Sequence, residues 1–249
     1  MIHGAFCGGW AFDLFREIFE AAGYRCLTPD LRGHEAGAAR SATAGVSMSD
    51  YARDIANLVK AQAEPPILIG HSMGGLVTQM AATRAPVRAL ILLAPSPPWG
   101  IAGGSLEEAA SAMSLYALGP FWLQAIDPDY ASAKLYSLDR MDRPDRKAVF
   151  ARMVPESGRA MWETLNWWLD PFMTTQVGKI DAPALALSGG RDLIHPSFTV
   201  KQTAERIGAQ TREFPEMSHW LLAEPGWEAV AGACIDWLAA LEPAREVAS

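Results

Sequence analysis

Cysteine is scarce in this chain, with three among 249 residues: Cys7, Cys26 and Cys234. An odd count without paired spacing argues against a disulfide framework and against a thiolate-held metal. The five histidines form no H-E-x-x-H or similar cluster, so neither a metal nor any other cofactor is expected. Charges of one sign never gather into a block, and the formal net charge is -7. That leaves no electrostatic footprint for nucleic acid, and the acidity serves solubility. No apolar run approaches the roughly 20 residues of a membrane-spanning helix. No charged-then-apolar leader opens the chain either, so no membrane partner is expected and a cytoplasmic location is the default. Internal repeats and low-complexity tracts are missing too. What remains is half hydrophobic and long enough for one large α/β domain with a full core.

Residues 66–75 read PILIGHSMGG. Ile67, Leu68 and Ile69 form a short apolar run after two prolines, the pattern of a buried parallel strand. Gly70-His71-Ser72-Met73-Gly74 follows, and residues 76–82 have the composition of a packed helix. Strand, G-x-S-x-G turn and helix in that order predict a nucleophile elbow with Ser72 at its tip. Such a turn holds the serine in a strained backbone conformation, and the glycines beside it let strand and helix pass closely.

The flanking chain alternates strands and helices. A His-Gly turn, His3-Gly4, stands behind a strand of only two residues, and a helix then carries Trp10, Leu14, Phe15, Ile18, Phe19 and Ala22 on one face. Residues 24–29 read as the next strand, and Ser47-Met48-Ser49-Asp50 as a capping box opening a helix with Tyr51, Ile55, Leu58 and Val59 inward. Residues 87–94, 183–188 and 211–215 predict three more strands; helices are expected at 197–207 and from Trp227 onward. Between them, residues 96–178 show no convincing strand and are rich in Met and Trp. Trp162, Leu165, Trp168 and Leu169 fall there on one helical face. The expected organisation is a core domain in two parts, 1–95 and 179–249, with a helical cap at 96–178. Glu242 onward reads as a frayed tail.

A serine hydroxyl becomes a nucleophile when an imidazole takes its proton and a carboxylate holds that imidazole. Asp192, in Gly189-Gly190-Arg191-Asp192 directly after a strand, is the candidate acid, with Asp170 and Asp181 as alternatives that follow no clear strand. His219 is the candidate base, just beyond the strand ending at Pro215, at the sheet edge where open α/β folds place their sites. His71 is expected to pack beside the neighbouring strand, His3 to order the first loop, and His34 and His195 to be loop residues. The order Ser72, Asp192, His219 is that of the α/β-hydrolases.

On His3-Gly4-Ala5, Asp30-Leu31-Arg32-Gly33-His34, residues 70–75, residues 189–192 and Ser218-His219, the chain resembles a serine hydrolase of the α/β-hydrolase superfamily over almost its whole length. HGAFCGGWAF and HWLLAEP are similar to segments of plant esterases and hydroxynitrile lyases and their bacterial relatives. The resemblance implies a mostly parallel sheet with helices on both faces, a helical cap over the site, and an oxyanion hole made by the backbone N–H groups of Ala5 and Met73. The Met and Trp of the cap suit an adaptable apolar cleft, so a small-molecule ester with a hydrophobic acyl or aromatic group is expected, with Trp122, Trp162 and Trp220 as the substrate-binding residues. Two departures stand out. In the family a central strand precedes His-Gly, whereas here it is Met1-Ile2, so the chain is expected to belong to a longer protein or to replace that strand by other means. Glu35 also stands where relatives often have glycine. Trp220 occupies the place of the lysine that the lyases carry after the histidine, which disfavours cyanohydrin cleavage. A C–C bond, thioester or lactone hydrolase and a non-enzymatic ligand-binding receptor are the remaining alternatives.

Overall fold

The computed structural model describes residues 1–102 and 106–241. In chain order the elements are α1 (Asp13–Ala21), α2 (Met48–Lys60), β1 (Ile67–His71), α3 (Met73–Ala82) and β2 (Ala89–Leu93). Next come α4 (Leu106–Tyr116), β3 (Ala125–Ile126), α5 (Tyr130–Ser132), α6 (Arg143–Phe150), β4 (Glu156–Ser157) and α7 (Gly158–Leu165). The chain closes with β5 (Ala184–Gly189), α8 (Ser197–Ile207), β6 (Gln210–Phe214) and α9 (Trp227–Leu241). The expected tail from Glu242 lies outside the described residues.

Four strands form a parallel sheet in the order β1-β2-β5-β6. Successive side chains of a strand point to opposite faces, so continuous apolar strands need a cover on both sides. Leu68, Leu90 and Leu92 pack with α2, α3 and α8 on one face. Ile69, Ile91 and Leu93 pack with α1 and α9 on the other. Phe15 and Phe19 of α1, with Phe12 before it, are fully buried there; each such side chain contributes about 1.5–3 kcal/mol of apolar burial. The predicted capping box opens α2: the Ser47 side chain accepts from Asp50 N–H while the Asp50 carboxylate accepts from Ser47 N–H. Tyr51, Ile55 and Val59 are buried as expected, and α8 has the expected bounds.

Three expectations need correction. Residues 24–29 are not a strand. The neighbour that would ladder them is Met1-Ile2, whose N-terminal amine reaches Leu27 O (2.8 Å) and whose Ile2 forms one parallel bridge to Gly70. A trench of about 390 Å³ lined by Met1, Tyr24, Leu27, Ile67 and Ile69 lies beside them. Residues 96–178 do hold strand pairing, a two-residue antiparallel ladder of β3 with β4, too short to show alternation in the sequence. The helical face expected through Leu169 breaks at Asn166, where α7 ends; Trp168 is mostly exposed.

The segment between β2 and β5 is tied to the core through α7 and the residues before it. Ser157 donates from Oγ to Val46 O (2.5 Å), and Glu163 accepts the N–H of Met48, the first residue of α2, at 2.8 Å. The helix start thus gains an acceptor for one of its orphan amides and a negative charge at the favourable end of its dipole.

Candidate active site

Ser72 stands between β1 and α3 with φ 53° and ψ -124°. A left-handed φ at a residue with a Cβ costs about 1–3 kcal/mol and persists only where its surroundings enforce it. Here Ser72 N–H donates to Leu93 O (3.0 Å), and Ser72 O accepts from the amides of Gly75 (2.8 Å) and Ser96 (3.0 Å). Gly70 and Gly74 are required by closeness rather than by their dihedrals. A Cβ on Gly70 would lie 2.4 Å from Gly74 O, and one on Gly74 would lie 2.2 Å from His3 O. Any side chain at either position would push the strand, the helix and the first loop apart.

Asp192 and His219 follow the C-terminal ends of β5 and β6, and the sheet brings them to Ser72. His219 Nε2 lies 3.0 Å from Ser72 Oγ, and His219 Nδ1 lies 2.9 Å from Asp192 Oδ2. Nδ1 faces a carboxylate and therefore carries the proton, which leaves Nε2 as acceptor for the serine hydroxyl. Asp192 Oδ1 accepts the amides of Ile194 (2.8 Å) and His195 (2.9 Å). Burial pushes the Asp192 carboxyl up, but the charge and hydrogen bond of His219 and the contacts of His195 outweigh it and hold it below its ordinary value. It therefore stays ionised though buried. Asp170 instead caps the amides of Phe172 and Thr174, and exposed Asp181 pairs with Lys179.

The other histidines are more engaged than the sequence suggests. His71 faces His219 O with Nε2 (2.9 Å), and burial followed by His219 lowers its pKa to about 3. A neutral ring donating to that carbonyl fixes the His219 backbone. His195, expected in a loop, is buried in the cavity wall with Nδ1 on Ala94 O (2.9 Å) and Nε2 near Ser96 Oγ (3.3 Å). Burial and His219 bring it to about 4. Glu224 accepts Ser218 N–H (2.6 Å), bracing the same loop, and burial raises its carboxyl to about 7. Among the described residues, Asp192, His195 and His219 could offer ligand atoms to a metal within 4.8 Å of one another. Those atoms already satisfy each other and Ala94 O, so the donor set suits a hydrogen-bond chain better than a cation.

His3 orders the first loop as expected. Its Nε2 accepts Leu31 N–H (2.9 Å), and Nδ1 faces Gly4 O (2.8 Å). Across a trans peptide the carbonyl and the next N–H point in opposite directions. With Gly4 C=O held by His3, Ala5 N–H is turned away from that ring. Met73 N–H is the first amide of α3 and has no carbonyl within the helix to bond. Ala5, Met73, Ser72 and His219 all line one cavity of about 550 Å³. The segment between β2 and β5 contributes Leu118, Ile126, Tyr136, Met153, Met161 and Leu165 to its wall. Trp220 lines it too. Trp122 and Trp162 do not: Trp122 meets Tyr116 and Phe121 edge-to-face at the surface, and Trp162 lies half-buried on α7.

The comparisons with known proteins agree with this architecture. Residues 1–233 match the model of the alpha/beta hydrolase family. The chain belongs to that family. It is 37% identical over 86 residues to a pyrethroid hydrolase of Sphingobium wenxiniae, covering 34% of this chain and 30% of that protein, less than a third of the relative's length. It is 26% identical over 231 residues to an sn-1-specific diacylglycerol lipase of Mus musculus, covering 88% and 74% of the two chains. A methylesterase structure from Arabidopsis superposes with a TM-score of 0.71 at 18% identity over 96% of this chain and 98% of that one, which supports the fold. No helix among the described residues is long and apolar enough to cross a membrane.

Proposed function

We propose that the chain is a serine hydrolase that cleaves a carboxylic ester with a hydrophobic acyl or aromatic group. The hydrogen-bonded line from Asp192 through His219 to Ser72, opening into the 550 Å³ cavity, carries the reading. Ser72 Oγ attacks the acyl carbon as its proton passes to His219 Nε2. The tetrahedral oxygen then rests on the amides of Ala5 and Met73; loss of one such donor costs about 2.7–4 kcal/mol in a well-studied protease. His219 returns the proton to the departing alkoxide, which leaves as an alcohol. Water, deprotonated by His219, attacks the acyl-enzyme, and the proton goes back to Ser72 as the acid leaves. Asp192 stays ionised throughout and supports the imidazolium.

Residues 96–178 act as the cap, and their Met, Leu and Ile side chains give the site its apolar, adaptable wall. The similar proteins point the same way, one being named a hydrolase and one a lipase. Trp220 remains the candidate for substrate contact. Hydrolysis of p-nitrophenyl esters from acetate to laurate tests the reading. A single optimal chain length, with activity abolished in Ser72→Ala, is expected. Equal activity in the variant would overturn it.

A further inference from the structure

Glu156 of β4 is fully buried and uses both carboxylate oxygens twice. Oε1 accepts Tyr51 Oη–H (2.7 Å) and Ser157 N–H (2.6 Å). Oε2 lies 3.0 Å from His34 Nε2 and accepts Phe6 N–H (3.3 Å). His34 Nδ1 faces Arg32 O (3.3 Å). Both ring nitrogens of His34 therefore face acceptors, which favours the doubly protonated ring. Burial pulls His34 down and pushes Glu156 up, yet each partner's charge reverses the other's shift, so His34 ends above and Glu156 below its ordinary value. Neutral His3 packs on His34 with ring centroids 5.0 Å apart.

Phe6 is the residue after Ala5, and it has φ 63°, the left-handed region that disfavours any side chain. Its conformation is held from residues far along the chain: Glu156 takes its N–H, and Val154 N–H donates to its carbonyl (2.9 Å). The Ala5–Phe6 peptide plane is thus fixed by Glu156, and the Gly4–Ala5 plane by His3. Ala5 is clamped on both sides. A bare carboxylate beside a forming oxyanion would oppose its charge, and the His34 imidazolium cancels that field.

We infer that Glu156 is a positioning residue for the oxyanion loop, holding Ala5 N–H in aim through the Phe6 amide while His34 neutralises its charge. This rests on the ester-hydrolase reading above. It makes the segment after β2 a part of the oxyanion machinery and not only a wall of the cavity.

The test compares wild type, Glu156→Gln and Tyr51→Phe in kcat and KM on a p-nitrophenyl ester, and in the rate at which a fluorophosphonate labels Ser72. The phosphoryl oxygen of that reagent needs the same two amides. Losing an oxyanion donor outright costs about 10²–10³ in kcat, so misaiming one through E156Q should cost roughly 10- to 100-fold. KM should stay within about twofold and labelling should slow in parallel, the pattern of an interaction made in the transition state. Y51F removes a bond to the other oxygen and leaves the Phe6 contact, so its kcat should stay within about threefold of wild type. Glu156→Asp keeps a negative charge beside His34 while its shorter side chain draws the carboxylate back from Phe6, and serves if E156Q does not fold; it should show the same kcat loss. A folded E156Q or E156D with wild-type kcat and labelling rate overturns the inference, as does a fall in E156Q and Y51F that merely tracks their loss of thermal stability. If the wild type turns over no ester but is labelled, the ester reading fails and the labelling ratio still decides Glu156. A wild type that is neither active nor labelled overturns both.

Discussion

Two buried histidine–carboxylate pairs of nearly equal length stand close to the same cavity. His219 lies 2.9 Å from Asp192, and His34 lies 3.0 Å from Glu156. What separates them is the partner of the second ring nitrogen. His219 Nε2 meets the Ser72 hydroxyl, a group that can give up a proton. His34 Nδ1 meets the Arg32 carbonyl, which can only accept a hydrogen bond. The first ring can therefore shuttle a proton, whereas the second can only hold one. Pairs of nearly equal length, one through Nδ1 and one through Nε2, thus leave a ring able to relay a proton in one place and a fixed charge in the other. The third partner decides.

Breaking the first pair should give the largest effect. Asp192→Asn keeps an acceptor near His219 but loses the charge and reverses the preferred tautomer. A fall of about 10⁴-fold in kcat is expected, as for the same change in a triad. Asp192 does not line the cavity, so KM should change little; steady-state kinetics on a p-nitrophenyl ester would show both. Breaking the second pair from the histidine side should show in stability. His34→Ala leaves Glu156 buried without its counter-charge, at a cost of about 3–5 kcal/mol in urea unfolding.

The pH dependence sharpens the comparison. Glu156 has a depressed folded pKa, so its contribution is present above the unfolded value of 4.5 and is lost as pH falls through the folded one. His34 has a raised folded pKa, so its contribution is full below 6.5 and is lost as pH rises through the folded one. The stability gap between wild type and Glu156→Gln should be widest between pH 4.5 and 6.5 and should narrow on either side. Glu224 behaves oppositely: raised from 4.5 to about 7, it binds more protons folded than unfolded in that window. Stability should decline there as pH rises, and Glu224→Gln should flatten the slope in denaturation curves taken at several pH values. The smallest effect belongs to Trp122→Ala. Because Trp122 lies off the cavity wall, kcat/KM should shift by less than about twofold.

The convergence of Ser72, Asp192 and His219 was legible in the sequence because a parallel sheet puts strand ends together. Ser72 and Asp192 follow apolar strands and His219 follows the more polar β6, so their convergence needs only the rule that sites gather at the C-terminal edge. The fixed pair was not legible. His34 sits in a loop of Gly, Ala and Ser, and Glu156 lies 122 residues away in a strand of two residues that has no periodicity to display. His195 lies in a loop as expected, but its burial and its contact with the Ala94 carbonyl 101 residues earlier had no local signal. The absent strand at residues 24–29 shows the reverse error, a local pattern that lacks the neighbour needed to ladder it. Trp122 and Trp162 fit the composition of a substrate wall, yet aromatic residues pack helices as readily as they line clefts.

The central claim is that Ser72 is the activated nucleophile and that His219 activates it. Treating the folded chain with a fluorophosphonate and mapping the adduct by mass spectrometry tests this most directly. The account predicts a single adduct on Ser72 in the wild type and none in His219→Ala over the same time. An adduct at another residue, or equal labelling of Ser72 without His219, would contradict it.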